Sequence, residues 1–563
     1  MTGGQRASGA DFLQLSPAAA PPRGVTAWLA DALRTSIIAG RLTPGTSLPA
    51  TRVLAEELGV SRGVVVEAYQ RLHEEGLVSA RPRTGTTVLP RPGPGTGRPG
   101  QEGPSGQEGP AGQAERPDRD GQRSRAAPAA AAFPARLPLP WRTAAEIDLS
   151  PGVPDLSGFP RAAWLRAERA VLTEASPADL GYGDPRGGER LRRELASWLA
   201  RTRGLRADPE DIIIVAGVAQ ALALLAQVLR AQGETAIAVE DPGSLGTRGE
   251  LAYWGLDPVP VPVDDQGMHV ASLVRTGLRT AVLTPAHQFP SGVVLAPGRR
   301  HELLDWAAGG GLIIEDDYDA EYRYDRAPVR AVQASAPDRV AYTGSTSKTL
   351  APGMRLGWLV PPPRLHADLV IAKRESDLGS PALPQLVLAR LIATGELERH
   401  TRLTRNRQRG RRDALLAALR EHLPAARVQG VAAGLHLVIT FPDTEGGIDD
   451  AALASRLRAA GVLVHPLSMH RLRPGPPGLV IGYAAHQPAQ LRDAARRIAQ
   501  ALLAGPGLPA GRGYHGEHRG ERGYQGDEVA DREAAHGDEG RGEPDDEDRD
   551  REDRPVLKKD PRR

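Results

Sequence analysis

The stretch TGSTSKTLAPGMRLGW, Thr343 to Trp358, places serines three residues and one residue before a lysine, and an arginine seven after it. The chain holds four lysines against 67 arginines, so an amine at Lys348 is not the compositional default. Arginine cannot form a Schiff base. Lysine can, once desolvation or a cationic neighbour lowers its pKa. What that amine faces is set by the sequence around it. From Asp211 the chain alternates apolar strand-like runs with helical ones: IIIVAG then AQALALLAQVL, followed by AIAVED, AVLTPAH and GLIIEDDY. Such alternation predicts a mostly parallel α/β sheet with ligand groups at the strand ends.

Two of those ends carry chemistry. After IIIV, Ala216-Gly217-Val218 opens a helix, where glycine lets backbone N–H groups approach an anion that the helix N-terminus favours. A plain packing turn would read the same way. GLIIEDDYDAEYRY sets carboxylates just past a buried strand, where an acid can pair with a protonated ring nitrogen. A solvated turn acid is the bland alternative. Lys348 follows some 32 residues later with Ser345, Ser347 and Arg355. An amine for an aldehyde, hydroxyls and a guanidinium for a phosphate, and an acid for a pyridine nitrogen together describe a pyridoxal phosphate site. The conjunction is far more specific than its parts.

Composition bounds the rest. At 563 residues the chain accommodates two or more domains. Lys+Arg of 71 against Asp+Glu of 69 says little about partners. The absence of cysteine excludes disulfides and thiolate metal sites and fits a reducing cytoplasm. No apolar run of about 18 residues and no signal-like N-terminus predict a soluble, intracellular protein. Gly and Pro, 64 and 50 in number, concentrate in two places. Residues 91–140 lack large apolar side chains and read as a flexible linker spanning roughly 40 Å. Residues 505–563 read as a disordered tail of mixed charge. The folded pieces expected are 20–90 and 141–504.

In the smaller piece, Leu29, Leu33, Ile37 and Ile38 stand at helical spacing and Gly40 closes the helix. Ala50 to Leu58 gives a second helix, Gly59-Val60 a tight turn, and Ser61 caps a third that carries Val64, Val65, Ala68 and Leu72. Leu77–Ala80 and Thr86–Leu89 then flank an Arg-Pro-Arg-Thr-Gly turn. Helix, turn, capped helix and basic hairpin predict a winged helix-turn-helix. Arg52, Arg62, Arg81 and Arg83 fall where a DNA backbone and groove would be met.

The run GRLTPGTSLPATRVLAEELGVSRGVVVEAYQRL resembles the GntR family almost throughout. That resemblance implies DNA contacts from Arg52, Ser61, Arg62, Gly63, Arg83, Thr84 and Gly85. Family members often have Gly where Arg83 stands, which implies an extra wing phosphate contact. IDLSPGVPDLSGFPRAAW, GYGDPRGGERLRREL, LTPAHQFPSGVVLAPGRR, IIEDDYDAEYRYD and GSTSKTLAPGMRLGW are similar to fold-type I aminotransferases. The whole of 20–504 resembles MocR-type regulators (the PdxR- and GabR-like group), a GntR reader fused to such a domain. The implied fold is an α+β winged helix-turn-helix joined to an α/β fold-type I transferase domain with a smaller C-terminal α+β subdomain. The implied cofactor is pyridoxal 5'-phosphate, with Lys348 as its Schiff-base lysine and Asp316 at the pyridine nitrogen. Tyr318 would meet the phenolic oxygen. Ser345, Ser347, Arg355, Gly217 and Val218 would hold the phosphate, and Tyr182 would reach it across a homodimer interface.

Three departures bear on function. The aromatic residue that follows Asp-Pro-Gly in the enzymes is Ser244 here. Their Asn before Pro-Thr-Gly is Phe289, leaving His287 or Gln288 as polar candidates. The arginine that grips a substrate carboxylate corresponds to Val480, and losing that fork removes substrate positioning. The leading expectation is therefore a cytoplasmic, dimeric regulator binding a double-stranded DNA operator. It would sense pyridoxal phosphate and control vitamin B6 genes, with no metal and no membrane. A sensor of amino compounds and a working aminotransferase with an appended reader remain as alternatives. His436 is expected to be a satisfied histidine, His465 and His470 to bind no metal, and the arginines of HTRLTRNRQRGRRDALLAAL to form a solvated helix face.

Overall fold

The computed structural model describes residues 24–81, 85–90, 145–324, 329–441 and 447–504. The expected linker and tail lie outside these residues, as do Arg83 and Thr84 of the wing.

The reader is built from α1 (Val25–Ile38), α2 (Thr51–Glu57) and α3 (Arg62–Glu74). Strands β1 (Val78–Arg81) and β2 (Gly85–Val88) pair antiparallel with Val78 opposite Val88. Gly59, at φ 62°, takes the left-handed turn between α2 and α3 that a side chain would resist. Ser61 stands at the N-cap of α3, but its hydroxyl makes no capping hydrogen bond, so only its position matches the expected cap. Leu29, Leu33, Leu54, Leu58, Val65, Leu72 and Val78 close one core. Small domains have little apolar area to spare.

The larger piece centres on an eight-stranded sheet. Its strands are β3 (Ile213–Val215), β4 (Ala236–Asp241), β5 (Asp257–Asp264), β6 (Gly267–Met268), β7 (Thr280–Leu283), β8 (Leu312–Asp317), β9 (Val340–Ser345) and β10 (Gly357–Val360). Their spatial order is β3-β10-β9-β8-β7-β4-β5-β6. The run from β9 through β8, β7 and β4 to β5 is parallel, while β10 and β6 pair antiparallel with their neighbours. The expectation of a mostly parallel sheet holds at its centre. Every residue of β7, β8 and β9 is buried, because helices cover both faces. β5 carries Pro258, Pro260 and Pro262, which lack ladder donors; its outer flank meets only the two-residue β6.

A 27-residue helix, Glu396–His422, leads into a C-terminal subdomain. There β11 (Arg427–Gln429), β12 (His436–Thr440), β13 (His465–Pro466) and β14 (Gly478–Gly482) pair in the order β11-β12-β14-β13. The long helix corrects an expectation. Its arginines do not form a merely solvated face: Arg411 is buried against Asp155, Arg405 donates to the Glu321 carbonyl at 2.5 Å, and Arg412 donates to the Val431 carbonyl at 2.9 Å. Guanidinium forks gather carbonyls that no strand satisfies, so these charges join the helix to the loops around it. The reader's core yields the first prediction: Leu33→Ala lowers the stability of its unfolding transition in guanidinium chloride by about 2–5 kcal/mol, as expected for a fully buried leucine.

Candidate functional site

Strand β8 ends in Glu315-Asp316-Asp317, three buried acids in a row. Successive side chains of a strand point to opposite faces, which divides their fates. Glu315 accepts from the backbone N–H groups of Val332 and Gln333 at 2.9 and 3.0 Å. Asp317 pairs with Arg203 at 2.5 Å and accepts from the Tyr342 hydroxyl at 2.5 Å. Asp316, between them, keeps one carboxyl oxygen buried and without a hydrogen-bond partner. Desolvation, then repulsion from Asp317 and Asp319, pushes the Asp316 pKa up to about 7 against the opposing pull of Lys348. An orphaned acid facing an amine is what a protonated ring nitrogen would satisfy.

Lys348 follows β9. Its Nζ donates to the Gly152 carbonyl, and burial lowers its pKa while Asp319 and Asp316 pull the other way. The other lysine of the folded pieces, Lys373, is occupied with Asp377 at 2.6 Å, Ser380 at 3.0 Å and Gln220 at 3.2 Å. Gly217 stands at φ 91° before the helix Val218–Ala231, so Val218 is the first residue of that helix. A Cβ on Gly217 would lie 3.4 Å from the Arg355 guanidinium. Bare backbone, a helix N-terminus and a guanidinium thus form one cradle of a kind that suits a phosphate. Arg355 itself is held at φ 50°, a left-handed conformation uncommon outside glycine. Ser345 is buried at the end of β9 and Ser347 half-buried beside Lys348, with the Ser345 hydroxyl 3.4 Å from the Ser347 N–H.

Tyr318 and His287 meet directly: the phenol oxygen lies 2.9 Å from His287 Nδ1. Gln288 is occupied with the carbonyls of Pro242 and Phe289 and with Ser291. Phe289 packs against Tyr318 and His436, with ring centroids 6.1 and 5.0 Å away. Ser244 caps the helix Leu245–Tyr253, accepting from Thr247 N–H at 3.2 Å. Val480 is fully buried in β14 and clusters with Val438 and Leu467. His436 Nε2 lies 3.0 Å from the Pro290 carbonyl, in keeping with a satisfied histidine. Tyr182 is 94 % exposed and takes no part in the site of a single chain.

Sequence reasoning missed two things. Asp319, buried against His287, was hidden among five acids in fifteen residues. The loop after the site also reaches the reader: Arg323 pairs with Glu74 at the end of α3 at 3.5 Å, and Arg330 with Asp31 of α1 at 3.4 Å. A cavity of about 630 Å³ between reader and larger piece is lined by Arg34, Glu74, Arg203, Arg330 and Arg405 among others. Nothing in the local sequence around Glu74 signals a partner some 250 residues away. Elsewhere on the reader, Arg52, Ser61, Arg62, Gly63 and Gly85 are exposed.

Residues 145–498 match the family of class I and II aminotransferases, and residues 26–88 match the bacterial regulatory proteins of the gntR family. The fold and site thus define a DNA-binding regulator carrying an aminotransferase-like, pyridoxal phosphate-binding domain. The chain is 33 % identical to the HTH-type pyridoxine biosynthesis transcriptional regulator PdxR of Corynebacterium glutamicum over 489 residues, 86 % of this chain and 97 % of that one. It is 32 % identical to the probable rhizopine catabolism regulatory protein MocR of Rhizobium meliloti, over 84 % of this chain and 93 % of that one. Among solved structures, the Pyrococcus horikoshii kynurenine aminotransferase superposes with a TM-score of 0.60 at 28 % identity, over 65 % of this chain and 93 % of that one. The chain belongs to the MocR-type transcriptional regulators, with GntR and class I/II aminotransferase domains. Among the described residues no helix is long and apolar enough to cross a membrane.

The raised pKa of Asp316 gives a prediction for the cofactor-free protein. A carboxyl whose folded pKa, about 7, exceeds its unfolded value near 4 keeps its proton in the folded state across that interval. Stability therefore falls as pH rises from about 4 to 7 and stays reduced above. Asp316→Asn removes this share of the slope, so the variant's melting temperature should drop less than the native protein's between pH 5 and pH 8.

Proposed function

We propose that the ligand sensed by this regulator is pyridoxal phosphate itself and that the genes controlled belong to vitamin B6 metabolism. The observation that carries the reading is Val480. Groups suited to a phosphate, a ring nitrogen and a phenolic oxygen are all in reach, yet the position expected to grip an amino-acid carboxylate is a fully buried valine. The printed role of the Corynebacterium relative, pyridoxine biosynthesis, agrees with it.

In this reading the cofactor supplies an aldehyde, and Lys348 is the amine poised for it, its pKa lowered by burial against the pull of Asp319 and Asp316. Gly217, Val218, Ser345, Ser347 and Arg355 bind the phosphate, Asp316 the ring nitrogen, and Tyr318, backed by His287, the phenolic oxygen. Arg52, Ser61, Arg62, Gly63 and Gly85, with Arg83 and Thr84, contact the operator. The protein works in the cytoplasm as a homodimer, which would cover Tyr182. The Arg323–Glu74 and Arg330–Asp31 pairs couple the two functions. Binding at Lys348 biases the loop that follows β8, and that loop touches the end of α3. Such coupling is typically worth about 1–3 kcal/mol.

The reading in which an amino compound is sensed draws on a different observation. A cavity of about 830 Å³ beside β12 is lined by Arg427, Arg471 and Arg473, and Arg471 Nε is buried without a hydrogen-bond partner. One of these guanidinium groups could take a carboxylate in place of the missing arginine.

An absorbance titration with pyridoxal phosphate, followed by a panel of amino acids, decides between them. The cofactor-sensor reading expects a near-visible band that Lys348→Ala lacks and that amino acids leave unchanged. Bleaching by particular amino acids would move the amino-compound or enzyme reading ahead. For the coupling, Arg323→Ala should leave cofactor affinity nearly intact while shrinking the cofactor-dependent change in operator affinity severalfold in a gel-shift assay. An unchanged response would exclude this route.

A further inference from the structure

Three oxygen atoms from two side chains converge on one ring nitrogen next to the site. His287 Nδ1 lies 3.0 and 3.2 Å from the two carboxylate oxygens of Asp319 and 2.9 Å from the Tyr318 hydroxyl oxygen. His287 and Asp319 are each about 1 % exposed. A carboxylate only accepts, so the proton on this side of the imidazole belongs to Nδ1, shared between Asp319 and the phenol oxygen. The opposite nitrogen agrees. Nε2 is buried with no hydrogen-bond partner, where a bare lone pair is tolerable and an unpaired N–H donor is costly. The nearest second imidazole, His436, has its pKa pushed down to about 3 by burial and by His287, so it brings no competing charge.

The consequence falls on Tyr318. Its oxygen is engaged as an acceptor from Nδ1–H, so its own hydrogen cannot be given to His287; in the cofactor-free protein it has the Asp319 carboxylate as acceptor, a place that a bound phenolic oxygen would take over. Tyr318 stands two residues after Asp316 and one before Asp319, at the end of the strand that faces Lys348. The position that holds an amide in related aminotransferases is Phe289 here, whose ring packs against Tyr318 and offers no donor.

We propose that Asp319 and His287 are positioning residues that fix the Tyr318 hydroxyl as the donor to the phenolic oxygen of bound pyridoxal phosphate, in place of the amide that Phe289 displaces. The proposal rests on the cofactor-site reading above. A donor held on a phenolate favours its ionised form, and with it the near-visible band over the near-ultraviolet one. A purely structural dyad would leave that balance alone.

The test uses the full-length protein titrated with pyridoxal phosphate and followed by absorbance. Asp319→Asn is isosteric, but its amide can donate to Nδ1 and reverse the tautomer, as a carboxylate-to-amide change does behind a catalytic histidine. It should shift the bound spectrum toward the near-ultraviolet and weaken binding about three- to tenfold. His287→Leu should do the same, and His287→Asn, whose side-chain N–H can stand in for Nδ1–H, should lie closer to native. This graded pair separates donor loss from misfolding. Native spectra for both Asp319→Asn and His287→Leu, with Tyr318→Phe shifted, would overturn the proposal. Absence of any Lys348-dependent band in the native protein would instead overturn the cofactor reading beneath it.

Discussion

The ion pair between Arg203 and Asp317 joins three layers that would otherwise be independent. Arg203 ends the helix Glu189–Arg203, Asp317 ends β8, and the same guanidinium also donates to the Val329 carbonyl, beyond the site. Both side chains are at most 3 % exposed. Removing one partner of such a pair strands a buried charge, at a cost of roughly 3–5 kcal/mol. With the Tyr342 hydroxyl as second donor, one oxygen of Asp317 is held by two side chains, although its other oxygen is buried without a partner. That double hold fixes the strand end, and a fixed strand end lets Asp316 stay uncommitted. A mobile terminus would let Asp316 reach water or Lys348 and relax. The orphaned carboxyl is thus a product of its neighbour's strong pairing.

Much of this was legible in the sequence for definite reasons. The apolar spacing of Leu29, Leu33 and Ile37 and the turn at Gly59 fix the reader, since small helical domains have few ways to bury such stripes. The alternation from Asp211 onward fixes the parallel centre, because crossover helices force it. Lys348, Asp316 and Gly217 stood out because each sits where one buried element ends. What escaped was long-range and polar. Asp319 looks like any turn acid until β8 turns it toward His287. The arginines of the long helix look like a charged exterior, because a helical pattern of Arg does not say which carbonyls lie opposite. Arg323 and Glu74 are joined only by tertiary packing.

The departures from the aminotransferase pattern are locally complete solutions. Ser244 stacks on nothing, and instead caps a helix. Val480 fills a small apolar cluster with Val438 and Leu467. Phe289 fits among Tyr318, His436 and His470. None leaves a stranded polar group of its own.

Helix α3 has its beginning and its end engaged with different things. Ser61 to Gly63 are exposed, while Glu74 pairs with Arg323 of the larger piece about 18 Å away along the axis, at 1.5 Å per residue. On the proposed reading, the residues that meet DNA and the residue that couples to the ligand share one helix but no side chain. Lineages can swap the first turn and acquire new target genes while keeping the old chemical signal. The helix makes the regulator's vocabulary and its hearing separately heritable.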